Sequence, residues 1–297
     1  MIDQFQNQIL VSMKKIIAGM LLLCSSFIAS SKENPAYVIY NAKGGEADYD
    51  KMVKAALEKK YIFFGEYHNN PISHWLQFEL TKSIYADKKS NLILGAEMFE
   101  ADNQYIMDEY LAGYISEKSF QEEVRLWPNY NTDYKPLFEF AKVNKLPFIA
   151  TNIPRRYASM CFKKGVESLN SLSDLAKSYI VPLNTFQFDS TVNCYKELLN
   201  SDHGGLNMAT AQAIKDATMA YFIAKNMTPN GVIIHYQGAY HSNNYEGILH
   251  YLKKTAPIEQ MMTISTVTQE DVSALAEENK GLADFIICVP ETMTTTH

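Results

Sequence analysis

Gly65-Glu66-Tyr67-His68 and Gly238-Ala239-Tyr240-His241 repeat one short pattern, Gly-x-Tyr-His, in opposite halves of the chain. Each closes an apolar run rich in β-branched and aromatic residues, Tyr61–Phe64 before the first and Gly231–Tyr236 before the second. Such runs read as strands. Four further runs have the same character: Asn91–Met98, Pro147–Thr151, Met261–Thr266 and Phe285–Val289. Each is followed by a helical pattern, and strands alternating with helices predict a mainly parallel sheet with helices on both faces, the α/β class.

The helix after the first run is the clearest. Beyond Pro71, which suits a first helical turn, Ile72, Trp75, Leu76, Leu80 and Ile84 make an apolar face. His74, Gln77 and Thr81 fall together on another face. A second long helix is expected over about Met208 to Asn226, with Gln212 and Asp216 one turn apart. Residues 155–205 break the rhythm with Ser-rich and Asn/Asp-rich stretches, and are expected to form a smaller helical insertion capping one end of the sheet. The polar tail Thr292–His297 is expected to fray.

With 297 residues, 47% of them hydrophobic, the chain is long enough to bury a full core. Its net charge of −6 and lack of a basic stripe argue against nucleic acid as a partner, since phosphate backbones are held by Lys and Arg. At the N-terminus, Met13-Lys14-Lys15, the apolar run Ile16–Leu23 and the small polar residues after it have the layout of a secretory signal. That run is too short to span a bilayer. Residues 1–12 lack this logic and read as an extension upstream of a start at Met13. Leu21-Leu22-Leu23-Cys24 resembles a bacterial lipoprotein box in which Cys24 would carry lipid, although the residue before the cysteine is there usually small. Cleavage after Ser31 would instead release a soluble protein. Residues 1–31 are thus read as extension plus export segment, and 32–297 as the α/β domain. An oxidising compartment would permit one disulfide, Cys161 with Cys194, and three buried free thiols are the alternative.

In open parallel sheets, ligands bind outside the carboxyl ends of the strands. Read at its end, each strand contributes polar groups: Glu66 and His68, then Glu97, then Asn152 ahead of Arg155 and Arg156, then Gln237 and His241. A glycine permits a tight turn as each strand ends, and a histidine three residues on can point back over the sheet edge. His68, His241 and Glu97 together would form two imidazoles and one oxygen donor, a set suited to a divalent first-row metal with positions left open. The alternatives are ordinary ones. Glu97 could cap a helix, His74 could be a polar face residue, and His235 inside its strand is expected to be packed. Tyr67, Tyr134 and Tyr240 are candidate phenolate ligands in a chain of 19 tyrosines.

Taken in order, Gly65–His68, His74 with Gln77, Gly95–Phe99, Trp127 with Tyr134 and Pro136, Ala150-Thr151-Asn152 with Pro154-Arg155, Gln212 with Asp216, and Gly238–His241 resemble the ChaN-like haem-binding uptake family. The resemblance covers roughly residues 55–290. The family belongs to a superfamily with Tiki, TraB and erythromycin-esterase relatives that share the two Gly-x-x-His turns and a glutamate. The resemblance implies an exported protein, periplasmic or a lipoprotein of the outer membrane or cell surface, that serves iron or haem uptake. Haem would be the cofactor, with iron taking a tyrosine among Tyr67, Tyr134 and Tyr240, and with His74 and Arg155 near the propionates. The other function it implies is a divalent-metal-dependent hydrolase, in which His68, Glu97 and His241 hold the ion and Glu66 is the general base. Oligomeric state is left open, with a homodimer among the arrangements admitted.

Overall fold

The computed structural model of the chain describes residues 34–202 and 204–297. The stretch expected to direct export, with Cys24, lies outside the described residues. Residues Ala36–His297 form one compact unit built on an eight-stranded sheet of order β2-β1-β8-β7-β3-β6-β4-β5. The strands are β1 (Val38–Asn41), β2 (Glu46–Ala47), β3 (Tyr61–Glu66), β4 (Leu92–Glu100), β5 (Phe148–Asn152), β6 (Val232–Gly238), β7 (Met261–Gln269) and β8 (Phe285–Pro290). From β8 to β5 every neighbouring pair is parallel, which is the α/β sheet the sequence predicts. β1 and β2 add an antiparallel edge that its patterning does not reveal, because both are short.

The parallel strands are buried on both faces, and alternate residues feed two separate cores. Ile62 and Phe64 point into one core with Leu94, Ile234 and Ile264, covered by the helices Tyr49–Leu57, Pro71–Lys88 and Lys135–Asn144. Tyr61 and Phe63 point into the other with Ile93 and Ile233, covered by the helices Arg155–Lys164, Leu206–Asn226 and Ile248–Leu252. Burial of one such side chain contributes about 1.5–3 kcal/mol, so a one-residue slip of β3 would exchange both cores and be strongly disfavoured.

Between Arg155 and Asn200 the chain forms the helices Arg155–Lys164, Asp174–Lys177 and Asn193–Asn200, with no strand. Cys161, Cys194 and Cys288 are all buried free thiols, the second of the two alternatives for them, and no Cys161–Cys194 bridge is present. Trp75 also departs from its expected place. It is half exposed and meets Tyr37 edge-on, whereas Leu76, Leu80 and Ile84 enter the core. The reason is that the polar stripe His74, Gln77 and Thr81 of the same helix turns inward and is buried, which rotates Trp75 outward. The tail is not frayed either: Met293 packs on the first core and Thr296 is hydrogen-bonded to distant residues. Among the described residues no helix is long and apolar enough to cross a membrane.

The chain leaves β3 toward the first core and leaves β6 toward the second, although the two strands are direct neighbours with Gly65 opposite Gln237 and Glu66 opposite Gly238. A crevice opens at the carboxyl ends of adjacent strands whose connections part in this way, and ligands of such sheets sit there. Both Gly-x-Tyr-His turns lie at its mouth.

Candidate functional site

Glu66, the last residue of β3, is buried and its carboxylate is fully engaged. Oε1 accepts from Tyr134 Oη at 2.8 Å and faces His68 Nδ1 at 2.9 Å. Oε2 accepts from the Gln77 amide and lies 3.6 Å from His74 Nδ1. His74 and Gln77 reach it because they are one turn apart on the inward stripe of the Pro71–Lys88 helix, which Pro71 opens and Asn70 caps by accepting from Ser73 N.

His68 then stands at the mouth of the crevice, its side chain 39% exposed. Nδ1 is held by Glu66, the ring meets Trp127 edge-on, and Nε2 makes no hydrogen bond among the described residues. Burial lowers its pKa, but the Glu66 hydrogen bond and the charges of Glu97 and Glu66 outweigh this, and the net shift is upward. Tyr67, next to it, is half exposed with its hydroxyl unpaired among the described residues.

The second turn is built differently. β4 pairs with β6 as far as Ala96 and Tyr236, and its register against β5 shifts between Ala96 and Glu100. A bulge of this kind re-aims a side chain. Glu97 Oε2 accepts from Gly238 N at 2.8 Å, and Oε1 lies 3.1 Å from His241 Nε2. The other nitrogen of His241, Nδ1, lies 2.5 Å from Asp216 Oδ1, and Asp216 Oδ2 accepts from Tyr195 Oη at 2.8 Å. His241 is therefore a buried imidazole between two carboxylates. Burial alone would depress its pKa, yet Glu97 and Asp216 raise it to about 10, so it is an imidazolium at neutral pH. Glu97 would be raised by burial, and His241, then His68, hold it well below the usual carboxylate range instead. Tyr240 donates to Cys194 O at 2.6 Å.

Gly238 joins the halves: a Cβ built there would stand 2.9 Å from His68 Nε2 and 3.6 Å from Glu97 Oε2. Positions 68, 97 and 241 thus converge. Among the described residues no group of three or more His, Cys, Asp or Glu could hold a metal ion as the side chains stand. The physical reason is donor occupancy, since both His241 nitrogens already face carboxylates. The glycines of the two turns also serve a purpose other than the one anticipated. Neither has a positive φ; Gly238 sits at φ −56, and Gly65 is a strand residue whose Cβ would meet Ala239 Cα at 2.8 Å. Close approach of backbone, not turn geometry, requires Gly65, and at Gly238 the missing Cβ leaves room for the His68 ring.

The remaining predicted residues divide clearly. His74 is buried, with Nε2 3.1 Å from His68 O and 3.4 Å from Asp133 Oδ2. Tyr134 is buried against Glu66, and burial followed by the Glu66 charge keeps its hydroxyl protonated. Arg155 is exposed at the start of its helix and has no ion pair among the described residues, whereas Arg156 pairs with Asp102 at 2.5 Å and Arg125 with Glu100 at 2.8 Å. Asn152 is half-buried with Oδ1 unsatisfied. Gln237 is fully buried and hydrogen-bonds Ser242. His235 is packed as expected, and burial lowers its pKa to about 4. Asn129, Asp133, Tyr195 and Thr296 belong to the network without having been singled out in the sequence. They lie in loops and short helices and, the Asn129–Asp133 pair apart, far along the chain from their partners, where no periodicity marks them.

A family model described as haem-binding uptake, Tiki superfamily, ChaN, matches residues 52–252. The chain belongs to this family. Among solved structures, a ChaN of Campylobacter jejuni with cofacially bound haem is similar at TM-score 0.62 and 15% identity, over 86% of this chain and 97% of its own. A mutant of the erythromycin esterase EreC in its open conformation is similar at TM-score 0.50 and 10% identity, over 84% of this chain and 97% of its own. At such identities the likeness is one of fold. No curated protein matches the chain.

Proposed function

We propose that this chain is an exported haem-binding protein of iron or haem uptake, and that it offers Tyr67 to ferric iron at the carboxyl edge of β3 and β6. The observation that carries this reading is the division among the three candidate tyrosines. Tyr134 is buried and committed to Glu66, Tyr240 is committed to a carbonyl, and Tyr67 alone has an exposed and unpaired phenol. The donor set suits the group: a phenol and the Arg155 guanidinium, neither with a partner among the described residues, and a half-exposed imidazole beside Trp127. β5 lies three strands from β3, a lateral offset of roughly 14 Å at ordinary strand spacing, so the Arg155 cation stands apart from the phenol on the same edge. When bound, haem supplies a ferric centre that a phenolate stabilises, and its carboxylates are partners for a guanidinium. In this reading His74, buried behind the turn, acts by orienting His68 through its carbonyl. Export is supported by the signal-like layout of residues 13–31, and a lipid on Cys24 would fix the chain to a membrane.

The test is a titration of the purified chain with ferric haem. A saturable Soret band is expected, and its loss of tyrosinate character in Tyr67→Phe identifies the ligand. No Soret change with the unaltered chain contradicts the proposal.

A second reading is hydrolytic, and the His68–Glu66 pair favours it. An imidazole with Nδ1 on a buried carboxylate and Nε2 open is the layout of a general base. The donors do not fit the metal-dependent form of this reading, for the reason given above. Glu66, held at both oxygens, orients His68 and is not placed to deprotonate water itself. Loss of ester hydrolysis in His68→Ala, with no stoichiometric divalent metal by elemental analysis, would support a metal-independent form of this reading. Activity unchanged in that variant would end it.

A further inference from the structure

The turn that presents Tyr67 and His68 is held carbonyl by carbonyl. Tyr67 O accepts from Asn70 N at 3.0 Å. His68 O accepts from Asn129 Nδ2 at 2.6 Å and faces His74 Nε2 at 3.1 Å. The third carbonyl, that of Asn69, accepts at 2.9 Å from the backbone N–H of Thr296, at the far end of the chain. Thr296 also donates its hydroxyl at 2.7 Å to Asp133 Oδ2. Asp133 is buried, accepts from Asn129 Nδ2 at 2.6 Å and faces His74 Nε2 at 3.4 Å. Thr296 therefore touches both supports of the turn: the Asn69 carbonyl directly, and through Asp133 the Asn129 and His74 side chains that hold the His68 carbonyl. Met293, packed against the core, brings the segment there.

From these contacts we infer that Thr296 is a positioning residue, and that Thr292–His297 is a strap that sets the turn presenting Tyr67 and His68 to the ligand. Its effect on haem rests on the reading above; its effect on the turn does not. A buried carboxylate that loses one of its donors is left under-satisfied, and its arrangement with Asn129 and His74 shifts to make up the loss. Without the Thr296 N–H, the Asn69 carbonyl has only water.

Three variants test the strap: Thr296→Val removes the hydroxyl, Thr296→Pro removes the N–H as well as the hydroxyl, and Thr296→Ser keeps both. In the haem-free protein, NMR signals of the His68 ring should shift or broaden in the Val and Pro variants and stay in place in the Ser variant. Signals of His250, whose neighbours are Tyr251 and Asp189, should stay in place throughout. Haem dissociation should quicken on the order of five-fold in the Val and Pro variants, as expected for one lost hydrogen bond, and be unchanged in the Ser variant. A His68 spectrum unchanged in both the Val and Pro variants overturns the inference, as does equal perturbation by Thr296→Ser. Failure of the unaltered chain to bind haem would instead strike at the proposed function, leaving the haem-free spectra to decide on the strap.

Discussion

The two Gly-x-Tyr-His turns sit side by side on adjacent strands and share three of four residues, yet their chemistry is opposite. The turn after β3 leaves a phenol and one imidazole nitrogen open to the crevice; the turn after β6 commits every such group to the protein. The difference lies in the number of carboxylates. His68 meets one, Glu66, at the edge of solvent, whereas His241 is clamped in the interior between Glu97 and Asp216. Identical motifs therefore specify where a histidine is delivered, and the surrounding acids decide whether it is a reactive group or a buried cation. The second turn acts as a brace that fixes Glu97 and the Gly238 backbone, against which His68 rests.

The largest expected effect comes from removing the clamped cation. His241→Ala leaves Glu97 and Asp216 buried without their shared partner, and should cost ~3–5 kcal/mol in denaturant unfolding. His68→Ala, at the half-exposed turn, should cost under about 1 kcal/mol. Equal losses would break the contrast between brace and open site.

The two glycines come next. Gly65→Ala drives a Cβ against the Ala239 backbone and Ile264 O, and should cost about 1–3 kcal/mol. Gly238→Ala meets only the end of the His68 ring, which can swing toward solvent, so stability should change by no more than about 0.5 kcal/mol while the His68 NMR signals move.

The pH dependence follows from the same pair. His241 binds its proton more tightly in the folded chain than in the unfolded one, so its contribution is whole below pH 6.5 and is lost as pH rises to about 10. Glu97 is shifted down from 4.5, so its contribution is present above that value and is lost as pH falls. Urea midpoints should be highest between 4.5 and 6.5 and fall steadily on the alkaline side, and His241→Gln should flatten that alkaline limb. Tyr240→Phe, which removes the hydrogen bond to Cys194 O, should cost about 1 kcal/mol in stability and leave a haem spectrum unaltered.

Much of this frame can be read in the sequence. Six apolar runs become the six parallel strands, because a strand buried on both faces must be apolar throughout. Strand ends in such a sheet share an edge, which is why residues as distant as 68, 97 and 241 converge. The sequence conceals occupancy. Asp216 lies in the middle of a long helix and Tyr195 in a short helix between β5 and β6, and no spacing reveals that Asp216 reaches His241 or that Tyr195 backs Asp216. The inward turn of His74 and Gln77 is hidden similarly, since their apolar neighbours promise an ordinary amphipathic helix until Glu66 is seen to need their hydrogen bonds. Thr296 looks like part of a polar tail because its partners, Asn69 and Asp133, lie in distant stretches of chain.

The most direct test of the contrast between the turns is a pH titration of the histidine ring nitrogens by NMR in the haem-free protein. His241 should hold protons on both nitrogens through neutral pH and release one only near pH 10, while His68 exchanges with solvent at Nε2. A His241 that is neutral at pH 7, or one that titrates together with His68, would contradict the account.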